Sequence, residues 1–490
     1  MKIYNTASRK IEEFKPLKQD KVKVYFCGPT VYNYAHIWNL RTFVFEDVVV
    51  RTLRFLWYEV ETTMNLTDVD DKTIRDSIKA GVSLKDFTQK YTKIFLDDLE
   101  KLNIQKADNI IPVTTLISQM VRMINTMLRR WYAYISDDGS IYYKVSKFKN
   151  YWKFANIDLE NLKSSVRIDN DEYDKDKVWD FVLWKAYKKE DWDNYWEEEF
   201  ELSSDKKITL KWRPGWHIEC SACNMAVFWP QIDLHMWWQD LIFPHHQNEI
   251  AQTESCTRKS FSKYWMHSAH LMVNWKKMSK SLWNFYTIED IEKNFKNEKR
   301  SVLYRALRLS FLNWKYRDSI DFSFDKLQAN INTIKKIDET IKNISYASEL
   351  SKSKEYRVWV TKEFSEYMQD IIQEYIFRLE DDINIPEILA VFHSFIKFIN
   401  NWIKNKDFSY EEYEAIIDML DTLNYVLQII DFDVLEENNE IPKEIVEKFE
   451  ARNIAKKEKN FELADSLRDE LLKSWYKIID SREWSRVEKI

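Results

Sequence analysis

A chain of 490 residues, 45% hydrophobic and 31% charged, with a net charge of −6, is long enough for roughly two to four soluble domains. It has no run of about 18 apolar residues, no apolar signal segment after Met1-Lys2-Ile3, and only 4 cysteines. Membrane spanning and a disulfide framework are therefore not expected, and a reduced, cytoplasmic setting is. The acidic balance argues against wholesale polyanion binding but leaves room for local basic patches on RNA. One ratio is abnormal: 4 Gly against 21 Trp, where glycine usually makes up about 7% of a protein.

In chain order, residues 1–112 read as the first half of a nucleotide-binding sheet. Val22 to Cys27 is a strand, Leu40 to Leu56 a helix, Tyr58 to Met64 a second strand, and Ser83 to Leu102 a second helix. Residues 113–210 read as an insertion. It holds a helix, a hairpin from Tyr132 to Val145 around Asp138-Gly139, and a highly charged stretch from Asp169 to Lys207. The sheet pattern resumes over 211–310, where Asp240 to Pro244 reads as a buried strand leading into a helix that starts near His245. Residues 311–440 are helical, and 441–490 alternate basic and acidic residues at helical spacing.

Two segments carry the chemistry. His36-Ile37-Trp38-Asn39 falls where a strand end meets a helix N-terminus, the anion site of an α/β sheet. Lys277-Met278-Ser279-Lys280-Ser281 places two lysines in a short polar loop, suited to phosphate oxygens. The pair resembles the HIGH and KMSKS motifs of class I aminoacyl-tRNA synthetases, and the surrounding residues resemble the cysteinyl-tRNA synthetases. The resemblance covers nearly the whole chain. It implies a Rossmann-like parallel-sheet catalytic domain with an inserted connective domain, then a helical bundle and a small C-terminal anticodon-binding domain. It also implies ATP, with Mg²⁺, activating L-cysteine for transfer to a cysteine-specific tRNA, by a monomer with no membrane partner. His36, Asn39, Lys277 and Lys280 would be the catalytic and phosphate-binding residues, and His235 and Asp240 would contact the adenosine.

His245 and Glu249 share one helix face at i,i+4 spacing. With Cys27 and Cys220 they offer two thiols, an imidazole and a carboxylate, a set that fits zinc but that spacing alone would not single out. In the family the matching residues hold one Zn²⁺ in the amino-acid pocket. Direct thiolate–zinc bonding would separate cysteine from serine, where shape alone offers about 1–3 kcal/mol. Trp216 would wall this pocket and Thr30 would help hold the substrate. Cys223 completes a CxxC with Cys220 but reads, like Cys256, as a buried structural residue. Phe377 to Pro386 resembles the family's bundle motif. Arg452, Ala455, Lys457, Ala464, Asp465, Arg468 and Leu471 resemble its anticodon-binding region; each of these charges is equally readable as a solvated helix face.

The departures share one form. Tryptophan stands where the family has glycine at Trp38, Trp57, Trp131, Trp212, Trp237, Trp238, Trp275, Trp283, Trp475 and Trp484. Gene translation that reads UGA as tryptophan, in a host that reads it as glycine, would give this pattern. Gly28, Gly81, Gly139 and Gly215 would come from ordinary glycine codons, while Trp184, Trp216 and Trp265 match family tryptophans. Real tryptophans would instead favour a non-catalytic zinc- or nucleotide-binding paralogue. The related cysteine:amino-sugar ligases share the zinc and ATP motifs but lack the full C-terminal part, so residues 441–490 favour the synthetase.

Overall fold

The computed structural model of the protein describes residues 1–156, 179–203, 206–273, 276–277, 285–352, 360–405, 409–435, 442–480 and 485–489. Lys280, Trp275, Trp283 and Trp484 lie outside the described residues. The chain divides into two compact units, residues 1–327 with 378–386, and residues 328–377 with 387–490.

The first unit is built on five parallel strands. Their spatial order is Asn109–Pro112, Glu59–Leu66, Lys21–Phe26, Ile232–Trp238, Ser262–Ser268. The chain starts at the centre, winds to one edge, then returns to the other side of its first strand. A crevice must open at that reversal, beyond the C-terminal ends of Lys21–Phe26 and Ile232–Trp238. The central strands are covered on both faces and so are apolar without alternation: Val22, Val24, Tyr25, Leu234 and Met236 are all buried. Val24 is in register with Leu234 on one side and Thr62 on the other.

Helix Ile37–Phe55 follows the first strand and is buried along most of its length. Its start is fixed from two directions. The His36 backbone N–H donates to Asn39 Oδ1 at 3.2 Å, and the Ile37 N–H donates to the Tyr286 carbonyl at 2.9 Å. Arg41, buried, donates to the carbonyls of Ala269 and His270, both at 2.6 Å, which ties this helix to the end of the fifth strand. Between the two halves of the sheet lies a separate five-stranded sheet, in the order Ala133–Ile135, Ile141–Tyr143, Phe181–Ala186, Lys206–Pro214, Trp196–Ser203, paired antiparallel throughout.

One sequence expectation is corrected. Asp240 to Pro244 is not a strand: the strand is Ile232–Trp238, followed by a tight turn and a helix from Gln247 to Thr257. Pro244 has no N–H for a central ladder, whereas Ile232 to Trp238 pairs on both sides.

The second unit is helical, with Ile385–Asn405 and Tyr410–Leu427 among its members. Ser409 caps the latter by accepting from the Glu412 N–H at 3.1 Å. Towards the C-terminus, Lys443–Lys457, Phe461–Lys473 and the hairpin Tyr476–Asp480/Ser485–Lys489 close over a small core of Ile445, Phe449, Leu471, Tyr476 and Val487. No helix among the described residues is long and apolar enough to cross a membrane.

Candidate active site and metal centre

A cavity of about 250 Å³ opens at the crevice. Its lining brings together Cys27, Thr30, His36, Asn39, Trp216, Cys220 and His245 from three separate parts of the chain. Cys27 directly follows strand Lys21–Phe26, and Cys220 lies in helix Trp216–Phe228. His245 sits in the turn after the fourth strand, and Glu249 lies one turn on.

The four donors converge. Cys27 Sγ and Cys220 Sγ are 3.8 Å apart, Cys220 Sγ and His245 Nε2 3.3 Å, Cys27 Sγ and Glu249 Oε1 3.6 Å, and His245 Nε2 and Glu249 Oε1 2.9 Å. All four lie within 4.8 Å of one another and are buried. With bonds of about 2.3 Å to sulfur and about 2.0–2.1 Å to nitrogen or oxygen, a tetrahedral site separates its ligand atoms by about 3.4–3.8 Å. The two Cys27 separations match that spacing, whereas His245 and Glu249, in direct contact at 2.9 Å, would have to part by about 0.5 Å to share an ion; mixed S/N/O ligation suits zinc.

Electrostatics point the same way. Burial works against a charged Glu249, but His235 and His245 outweigh it and hold the carboxyl well below its usual range. Burial also opposes a charged His245, yet Cys220 and Glu249 raise its pKa to about 10. The Cys27 thiol is pushed well up, first by burial and then by Cys220 and Glu249. Against burial, the Cys27 hydrogen bond and His245 lower the Cys220 thiol, so the protein groups favour ionisation of one thiol and disfavour it at Cys27. A divalent cation would let both thiols ionise.

Other expected residues fall differently. His235, expected at the adenosine, has a fully buried side chain: Nε2 lies 2.7 Å from Glu249 Oε2, its ring stacks on Trp265 at 4.4 Å, and it is not among the residues lining the cavity. Asp240 is also outside the lining; its Oδ1 lies 3.1 Å from His270 Nε2. Trp216 packs on the His245 ring with centroids 4.3 Å apart. Thr30 bridges to Thr67, whose hydroxyl donates to Glu219 at 2.8 Å. Lys276–Lys277 pairs with Met272 and Val273, and the chain is next described at Phe285, whose ring meets His36 edge-on with centroids 3.9 Å apart. Phe285, where the description resumes, therefore lies against the His36 helix start, and Thr287 bridges to His36. Cys223 is buried and, like Cys256, belongs to neither metal-capable group.

Sequence reasoning missed two features. His246 forms a second metal-capable set with Cys27, His235 and Glu249, and its Nδ1 lies 2.8 Å from His267 Nε2. Lys72 lines the cavity, with Nζ 5.4 Å from the Tyr32 ring centroid. Its signal was available: it follows the capping residue Asp70 just past a parallel strand's C-terminal end, where such sheets bind ligands.

Comparison with known proteins agrees with this architecture. Residues 13–332 match the family model of the class I (C) tRNA synthetase catalytic domain. A LeuRS of Agrobacterium radiobacter, in a ternary complex, superposes with a TM-score of 0.58 at 10% identity, covering 87% of this chain and 86% of its own. The methionyl-tRNA synthetase of Mycobacterium tuberculosis, with methionyl-adenylate, gives 0.53 at 13% identity, covering 84% and 90%. These likenesses define the fold of a class I aminoacyl-tRNA synthetase. At the level of sequence, the cysteine–tRNA ligase of Chlamydia muridarum is 39% identical over 501 residues, covering 100% of this chain and 99% of its own. That of Protochlamydia amoebophila is 38% identical over 493 residues, covering 100% and 98%. The chain belongs to the cysteinyl-tRNA synthetase family.

Proposed function

We propose that the chain joins L-cysteine to a cysteine-specific tRNA in two ATP-driven steps, in the cytoplasm and as a monomer. The observation that carries this reading is the Cys27–Cys220–His245–Glu249 cluster at the floor of the cavity whose rim holds His36 and Asn39. Zn²⁺ held by those four residues would accept the substrate thiolate as a further ligand and so select cysteine over serine. Trp216 and Thr30 bound the amino-acid end.

The cysteine carboxylate attacks the α-phosphorus of ATP, giving cysteinyl-adenylate and pyrophosphate, and the terminal tRNA ribose hydroxyl then takes the acyl group. Neither step needs a protein nucleophile. His36, Asn39 and the N-terminus of helix Ile37–Phe55 present donors to the phosphates, and Lys277 and Lys280 add positive charge as it is needed in the transition state, with Mg²⁺ accompanying ATP. Residues 113–210 serve as the connective insertion, 311–440 as the bundle and 441–490 as the anticodon-binding part. The test uses protein isolated from the cells that make it. It should contain one zinc per chain and catalyse ATP–pyrophosphate exchange with cysteine and not with serine. Exchange with no preference between the two, or none with cysteine, would overturn the reading.

A further inference from the structure

Burial and backbone set two groups of tryptophans in this chain apart. Trp184 and Trp265 are among the largest fully buried side chains, doing what an indole does best. Trp57, Trp131, Trp192 and Trp475 are the reverse, 91%, 75%, 61% and 69% exposed. These four also have φ of +69°, +61°, +54° and +67°. Of the thirteen non-glycine residues with positive φ among the described residues, four are tryptophan, against 21 tryptophans in 490 residues overall. A bulky L-residue pays about 1–2 kcal/mol for the left-handed region, and an exposed indole returns nothing for it.

Local geometry says which residue these positions want. Helix Ile37–Phe55 ends with the Trp57 N–H donating to the Arg54 carbonyl at 3.0 Å and the Tyr58 N–H to Leu53 at 3.0 Å. Helix Ile117–Arg129 ends identically, Trp131 N–H to Leu128 at 3.0 Å and Tyr132 N–H to Met127 at 2.9 Å. This is the paired reverse turn that calls for glycine one residue past the cap. The chain's own example is Gly81, φ +66°, with Gly81 N–H to Ile78 at 3.0 Å and Val82 N–H to Ser77 at 3.2 Å. Trp192, at φ 54° and ψ −127°, occupies a region that suits the first central residue of a II′ turn, again glycine.

The same substitution acts inside the cavity. Trp38 and Trp238 come from the helix start and the fourth strand's end, the two sides of the crevice, and their ring centroids are 4.2 Å apart. That is the distance of one aromatic contact, so no nucleotide base or phosphate fits between them. We propose that positions 38, 57, 131, 192, 238 and 475 carry glycine in the working protein, through UGA codons that its translation reads as glycine. With glycine at 38 and 238 the crevice is open and the helix N-terminus is free to approach a phosphate closely.

The test has two readouts. Peptide mass spectrometry of the protein isolated from its own cells should show glycine at all six positions and tryptophan at 184 and 265; tryptophan at 57 and 131 would overturn the proposal. In parallel, the chain as written is compared with a version carrying glycine at all six. The glycine version should gain cysteine-dependent ATP–pyrophosphate exchange by about 100-fold or more, the scale of a displaced reactant. Trp57→Gly and Trp131→Gly alone should each raise Tm by about 1–3 °C. Equal, measurable exchange by the two versions would overturn the part concerning the crevice. That part rests on the proposed ATP chemistry; the peptide masses and Tm do not. Glycine in the peptides with no exchange from either version would count against the proposed function alone.

Discussion

Glu249 meets two imidazoles at once, Oε1 facing His245 at 2.9 Å and Oε2 facing His235 at 2.7 Å, with none of the three exposed. Only one of these histidines belongs to the four-donor set at the cavity. The other therefore orients the carboxylate from behind. His235 Nδ1 has no hydrogen-bond partner among the described residues, which leaves Nε2 as the nitrogen that carries the proton towards Glu249. Partners of this kind fix a ligand's rotamer and satisfy its second oxygen. His235→Ala should lower zinc affinity by about 10–100-fold, measured by competition with a chromophoric chelator, while His235→Gln should recover part of it by restoring a donor. An affinity unchanged by the alanine substitution would mean that Glu249 is held in place without His235. The sequence placed His235 at the adenosine because a histidine beside a family ATP segment reads as a contact. What it could not show was the side of the strand on which the ring falls.

At the scale of elements, the segments with strong local signals were legible. Helix Leu84–Lys101, capped by Ser83, and the hairpin turning at Gly139 stand where periodicity and turn chemistry put them. The strand Ile232–Trp238 was not legible, because a parallel strand buried on both faces has no alternation, and because Asp233 and His235 read as polar breaks. Asp233 is satisfied by the Lys23 N–H at 2.8 Å, a bond that only the folded sheet supplies. For the same reason the cluster was legible only in part. The His245–Glu249 pair follows from helical spacing, but Cys27 reaches Cys220 across 193 residues of chain, and no local rule makes that contact. Gly28 shows how tightly the elements cross here: a Cβ at this position would lie 1.5 Å from the Asn65 carbonyl oxygen, a backbone atom that cannot swing away. The Gly28 N–H also donates to Asn65 Oδ1 at 2.9 Å. Gly28→Ala should therefore force the first two strand ends apart, costing about 3 kcal/mol in urea denaturation. It should also weaken zinc binding, since Cys27 is the preceding residue. A denaturation midpoint equal to that of the parent would show that the crossing relaxes freely.

Across the whole molecule, the division into two units separates two kinds of stabilisation. The metal-capable cluster lies wholly in residues 1–327 with 378–386. Residues 328–377 with 387–490 contain the Arg452–Asp480 pair, where Arg452 Nη1 lies 2.7 Å from Asp480 Oδ1. Arg452 holds the Asp480 carboxyl below its ordinary range. A carboxylate depressed in the folded state adds stability above its unfolded pKa of 3.8 and loses it as pH falls further, so this contribution is complete at neutral pH and fades in acid. Zinc held by the proposed cluster would behave differently. A ligand that binds only the folded state stabilises it by about 2.7 kcal/mol at a concentration 100 times its Kd, and only the unit that contains its ligands feels this directly. Regional hydrogen exchange should resolve the two effects in one preparation. Removing zinc with a chelator at pH 7 should speed exchange in strands Lys21–Phe26 and Ile232–Trp238 while leaving helices Ile385–Asn405 and Lys443–Lys457 unchanged. Acidification below about pH 4 should loosen the hairpin Tyr476–Asp480/Ser485–Lys489 in parent protein and much less in Asp480→Asn, which has already lost the ion pair. If chelation instead accelerated both units equally, the two would unfold as one cooperative body, and the metal would stabilise the entire chain.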